Sequence, residues 1–107
     1  MPRISQGTVI WAQLPAPIGD RPVVILTRDA AIGQLNALTV APITRMIRNL
    51  PTEVVLHPVD GLPSISAVSL DNIMTVPRSR FGEVITVLTR ARVLQIFQAI
   101  RVALDMD

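Results

Sequence analysis

All ten basic residues of this 107-residue chain are arginine. A guanidinium is planar, permanently charged and forked, which suits it to the oxygens of phosphates and carboxylates. Several of these arginines stand beside hydroxyls or turns at the ends of apolar runs: Arg21 follows a Gly-Asp pair, Thr44 precedes Arg45 and Arg48, and Arg78, Ser79 and Arg80 follow a further run. Groups of this kind bind anions. A phosphodiester is the obvious ligand, because guanidinium and hydroxyl hydrogens can follow its non-bridging oxygens as negative charge grows on them. The same arginines could instead pair with acids such as Asp20 or Asp71 at a solvated surface, and spacing alone leaves both readings open.

Composition excludes much other chemistry. Without cysteine there is no disulfide framework, thiolate nucleophile or sulfur-ligated metal. His57 is the only histidine, so a two-histidine acid and base mechanism and a histidine-rich metal site are unavailable; within HPVDG it reads as a turn cap. The eight acids are scattered, without the spacing of a carboxylate metal cage. No Walker-type phosphate loop, no GxGxxG after a strand and no GxSxG elbow occurs, and no cofactor is expected. The formal charge of +2 is too slight to attract nucleic acid by itself, so recognition must be local.

Short strands must position these groups. Residues 7–14 (GTVIWAQL) and 21–28 (RPVVILTR) read as two strands joined by the breaker-rich PAPIGD. Pro22 has no amide proton, so a ladder at the start of the second strand begins one residue later or lies at an edge. Residues 29–37 should loop out before a third strand at 38–44, with further strands at 52–57, 66–76 and 84–88. Trp11 is expected in the core, although it and Phe81 are also suited to stacking on bases. From Val93 to Leu104 the apolar period becomes helical, with Thr89 as N-cap. These elements predict one domain over 1–107, mainly β with a C-terminal α-helix, as a strongly bent antiparallel sheet or small barrel. Half the residues are hydrophobic and the helix is more apolar than one packing face needs, which points to a homodimer. No signal-peptide core or membrane-spanning run is present, so the expected location is cytoplasmic, with no membrane contact.

Four ordered strings say more than these periodicities: GTVIWAQL, GDRPVVILTRD, NALTVAPITRMIRNLPTEVVL and GLPSISAVSLDNIMTVPRSRFGEV. Together they resemble the MazF/PemK family of toxin endoribonucleases from bacterial toxin and antitoxin pairs, in order over almost the whole chain. The resemblance implies an SH3-like small barrel of bent antiparallel sheet (PemK/CcdB-like), a homodimer, and metal-independent cutting of single-stranded RNA at a short preferred sequence. It also implies a cognate antitoxin that wraps the dimer with an acidic, partly disordered tail.

Carried over residue by residue, the family's catalytic arginine falls on Arg21 and its catalytic threonine on Thr44, with Arg45, Asn72 and Arg78 as candidate RNA-binding residues. RNA brings its own nucleophile, the 2'-hydroxyl, so the protein need only align it and stabilise the charged transition state. The connection PAPIGD is shorter than the family commonly shows, Asn72 stands where relatives often carry Gln, and Met74 where many carry Arg. The recognised RNA sequence is therefore left open. Two rival functions exist on the same fold: a non-catalytic gyrase inhibitor of the CcdB kind, which needs no Arg21 and Thr44 pair, and an inactive homologue that only binds RNA or antitoxin.

Overall fold

A computed structural model of the chain describes residues 3–106. Its elements are β1 (Thr8–Leu14), β2 (Gly19–Ile25), a short α1 (Asp29–Ile32), β3 (Ala37–Thr44), β4 (Glu53–Leu56), β5 (Ser66–Ser69), β6 (Met74–Pro77), β7 (Phe81–Val87) and α2 (Arg90–Ala103). The strands form one antiparallel sheet in the order β4-β5-β3-β2-β1-β7, with β6 also paired to β3. The sheet does not close. β4 and β7 end it without pairing to each other, so the expected barrel is an open, bent sheet.

The bend is concentrated in β3. Its first half, Ala37 to Val40, pairs with β6, while Ile43 and Thr44 pair with β5. Sequence periodicity reads 66–76 as a single strand, but the 3₁₀ turn Leu70–Asn72 divides it into β5 and β6. Asp and Asn favour such turns because their side chains bond locally, and here Asn72 Nδ2 donates to Ser69 Oγ at 2.8 Å. Two smaller differences follow from short-range signals: the expected loop at 29–37 contains the single turn of α1, and β7 begins at Phe81 rather than at residue 84.

Alternation along the central strands feeds two cores. Val9, Val24, Ala41 and Ile43 face α2, while Ile10, Ala12, Val23, Ile25, Leu38 and Val40 pack on the other side with Val76. Trp11 falls outside both. It is 42% exposed, between the buried Ile10 and Ala12 on a strand whose inner positions are taken by smaller side chains, so the expectation of a core tryptophan is corrected.

Thr89 caps α2 as expected, its Oγ1 accepting from the Arg92 amide at 3.3 Å. Val93, Ile96 and Ala99 bury the inner face of the helix. Each of the two larger side chains contributes about 2 kcal/mol by leaving water. Gly7, at φ +94°, lets the helix come this close, since a Cβ there would lie 2.8 Å from Val93 Cγ2. Leu94, Val102, Leu104 and Met106 stay exposed at and beyond the outer side of α2. No helix among the described residues is long and apolar enough to cross a membrane.

Candidate active site

Arg21 lies on β2 two residues before Val23, so it shares the face on which Val23 and Ile25 are buried. Thr44 lies on β3 four residues after Val40, and is on that same face for the same reason. The register between the strands is Val23↔Pro42, Val24↔Ala41 and Ile25↔Val40. Carried two residues further it sets Arg21 opposite Thr44. No ladder forms there, because Pro22 and Pro42 have no amide proton to donate and the end of β3 has turned to β5. The expected late start of the ladder at Pro22 is thus seen on the β3 side, while on the β1 side pairing continues through Trp11↔Pro22.

Each residue is held from behind, Arg21 by its ladder position opposite Ala12 of β1 and Thr44 by its position opposite Ala67 of β5. Between them the parted strands leave a cleft of about 400 Å³ whose walls include Arg21, Pro42, Thr44, Arg48, Asp71 and Asn72. Both Arg21 and Thr44 are half-buried. Thr44 Oγ1 accepts from the Met46 amide at 3.1 Å, which fixes the hydroxyl and leaves its proton free to donate.

The opposite wall is built by hydrogen bonds between two loops. Glu53 Oε1, also on the cleft, accepts from the amides of Arg48 at 3.0 Å and Leu50 at 3.4 Å, folding the segment after β3 back along the opening. The Thr52 hydroxyl donates to Asp71 Oδ2 at 2.6 Å and joins that segment to the Leu70–Asn72 turn.

Among the described residues the one salt bridge joins Arg92 to Asp60, and neither lines the cleft. Arg21 therefore pairs with neither Asp20 nor Asp71 among the described residues, so the surface ion-pair reading does not hold for it. Three of the five site residues expected from sequence, Arg21, Thr44 and Asn72, meet at the cleft. Arg45 is exposed just past β3 and does not line it. Arg78 turns elsewhere: its Nη1 donates to the carbonyls of Ile32 at 2.6 Å and Leu35 at 3.4 Å, closing the end of α1. Arg48, grouped with Thr44 as an anion-binding candidate by its place after the apolar run, does line the cleft. It is joined there by Glu53, Ser69 and Asp71, which sequence reasoning missed as site residues. The Asp-Asn pair inside an apparent strand was the available turn signal for the last two. His57 stays away from the cleft; its turn is closed by Asp60 Oδ2, which accepts the His57 amide at 2.9 Å. Among the described residues no three His, Cys, Asp or Glu side chains gather to hold a metal.

A family model described as PemK-like, MazF-like toxin of type II toxin-antitoxin system matches residues 5–104. The chain belongs to this toxin family. Two curated relatives from Mycobacterium tuberculosis are similar over most of their length. Probable endoribonuclease MazF5 is 43% identical over 102 residues, covering 94% of this chain and 93% of that protein. Endoribonuclease MazF3 is 42% identical over 87 residues, covering 81% and 84%. Among solved structures, the Mycobacterium tuberculosis toxin MazF-mt6 superposes with a TM-score of 0.87 at 40% identity, covering 94% of this chain and 98% of that one. An endoribonuclease in complex with its cognate antitoxin, from a mycobacterial species, gives a TM-score of 0.87 at 25% identity over 98% of both chains. The open sheet with one C-terminal helix is thus the fold of the MazF toxins.

Proposed function

We propose that this chain, acting as one domain, cleaves single-stranded RNA in the cleft between β2 and β3, with no metal or cofactor, as the toxin of a type II toxin and antitoxin pair. Endoribonuclease is the enzyme class of its MazF relatives and its own. The observation that carries the mechanism is the meeting of an unpaired Arg21 and a proton-donating Thr44 on one open cleft.

Alignment and charge stabilisation suffice for the chemistry. The ribose 2'-hydroxyl attacks the adjacent phosphorus, the bond to the departing 5'-oxygen breaks, and negative charge accumulates on the non-bridging oxygens in between. Arg21 donates to those oxygens and to the departing one, and the Thr44 hydroxyl adds a second donor. Arg21 does not serve as base, because a guanidinium stays protonated in proteins. The two cleft carboxylates, Asp71 and Glu53, each keep one oxygen, Oδ1 and Oε2, that no described protein group occupies, and either is suited to take the 2'-hydroxyl proton. The departing 5'-oxygen takes a proton from solvent, so the products are a 2',3'-cyclic phosphate, or the 3'-phosphate that water forms by opening it, and a 5'-hydroxyl end. Asn72 and Arg48 hold the strand at the opening. Arg45 binds outside the cleft, and Arg78 contributes by bracing α1.

A cytoplasmic site of action, a homodimer joined through the exposed apolar surface, and control by an antitoxin with an acidic disordered tail complete the reading. An acidic segment laid over Arg21 and Arg48 would block the cleft. Incubation of the purified protein with long single-stranded RNA in EDTA tests it. Discrete fragments with 5'-hydroxyl ends are expected. Intact RNA, or cleavage that Arg21→Ala leaves at wild-type rate, would overturn it. A gyrase inhibitor or an inactive homologue would leave RNA whole.

A further inference from the structure

Three hollows adjoin one another through shared walls, passing from the face of β1 and β2 that carries Arg21 to the face that carries Trp11. The cleft at Arg21 and Thr44 shares Ile18 and Met74 with a second hollow that is bounded by Pro15 and Pro77. That one shares Gln13 and Arg80 with a third, whose walls include Trp11, Asp20, Phe81 and Gly82. Their volumes are about 400, 490 and 350 Å³. A polymer longer than the first hollow can continue into the others.

The far end is built as a stacking platform. Trp11 is 42% exposed although it sits in the middle of a strand in the sheet, and its ring is flanked by residues with little bulk. Its partner across β1 and β2 is Pro22, and on the β7 side Gly82 has no side chain, where a Cβ would lie 3.5 Å from Trp11 Cβ. Phe81, paired with Ala12, is half-buried against the core on the other face and leaves Trp11 as the exposed aromatic of the hollow. Arg80 is exposed and has no carboxylate within ion-pair distance among the described residues. Asp20 is the one acid on this hollow, so a phosphate is favoured on the Arg80 side and a base amino group on the other.

We infer that this trough is an extended subsite for the RNA strand beyond the scissile linkage, with a base stacked on Trp11 and a flanking phosphate on Arg80. The inference rests on the RNA cleavage proposed above and adds to it a second point of contact. Exposed aromatics interleaved with arginine bind single strands without demanding a particular base, because every base presents a π face and every linkage a charge. The chosen occupant is RNA rather than a polypeptide because the trough is continuous with the cleft that must hold the substrate.

The test compares two RNAs centred on the mapped cut site, each with a 2'-deoxy nucleotide there to prevent cleavage, about 4 and about 12 nucleotides long, the range of single-strand site sizes. Wild type should bind the longer one more tightly by about tenfold beyond the gain of the extra phosphates elsewhere, the scale of one stacked base. That ratio should collapse in Trp11→Ala, shrink in Arg80→Ala and be largely restored in Trp11→Phe. Trp11 is the only tryptophan, so its fluorescence should also be quenched by the long RNA and not by the short one. A ratio unchanged in both alanine variants overturns the extended subsite, and if those variants bind the cognate antitoxin less tightly the trough belongs to a polypeptide. Failure of the wild type to cut RNA at all would instead remove the proposed function itself.

Discussion

Arg92 and Arg21 carry the same side chain into opposite surroundings. Near the start of α2, Arg92 places Nε on Asp60 Oδ1 and Nη2 on Asp60 Oδ2, both at 3.0 Å, and Nη1 on Gln95 Oε1 at 2.9 Å. This fork against a carboxylate is the strongest geometry available to arginine, and it ties the helix to the turn between β4 and β5. At the other site Arg21 faces a cleft with no ion-pair partner among the described residues. A guanidinium already matched to a carboxylate has little left to give a phosphate. The difference separates an arginine committed to the fold from one left without an ion-pair partner among the described residues, a distinction that residue type does not reveal.

Exchanging the two roles gives the largest expected effects. Arg21→Ala should lower kcat/KM for RNA by at least ~100-fold, about 3 kcal/mol, the scale of losing one donor to a developing oxyanion, with little change in melting temperature. Arg92→Ala should do the reverse. Its expected cost is about 2 kcal/mol of stability, or roughly 10 °C in Tm, while the folded fraction cleaves RNA at the wild-type rate. Parallel kinetics and thermal melts check both, and a large activity loss in folded Arg92→Ala would erase the contrast.

Asp60 sharpens it through pH. The Arg92 hydrogen bonds, then the His57 amide, hold its carboxyl below the ordinary value of 3.8. A folded pKa lower than the unfolded one adds stability that is fully present above the unfolded value and is lost as pH falls through the folded one. Wild type should therefore lose stability between about pH 5 and pH 2 more steeply than Asp60→Asn, as read from urea midpoints across that range. The smallest effect belongs to the cap beside this ion pair: Thr89→Ala should cost about 1 kcal/mol in the same denaturation experiment.

Much of the fold could be read from β-branched runs bounded by Pro and Gly, and the helix from its period and Thr89. The sequence misled where a local turn competed with a pattern. Residues 66–76 alternate well enough to look like one strand, yet Asn72 bonds locally to Ser69 while Asp71 is held by Thr52 from another loop, and the turn they share breaks the strand and lets β3 change partners beside Thr44. Arg21 and Thr44 are 23 positions apart, and nothing local links them. The resemblance named them; the register of β2 and β3 explains their proximity, and the two prolines explain the opening. Arg78 looked like an anion ligand because its sequence neighbours are polar, but the carbonyls that engage it lie more than forty residues away. Trp11 was misplaced because hydrophobicity predicts burial on average and the side of a strand decides it in the particular case.

The central claim is that Arg21 and Thr44 act on one scissile phosphate. A double-mutant cycle with Arg21→Ala and Thr44→Val, read as kcat/KM on a single mapped RNA site, tests it most directly. The account predicts strong coupling, with the double variant little slower than the worse single variant and an interaction of at least about 1 kcal/mol. Losses that simply multiply would contradict it, because they would mean that the guanidinium and the hydroxyl act independently.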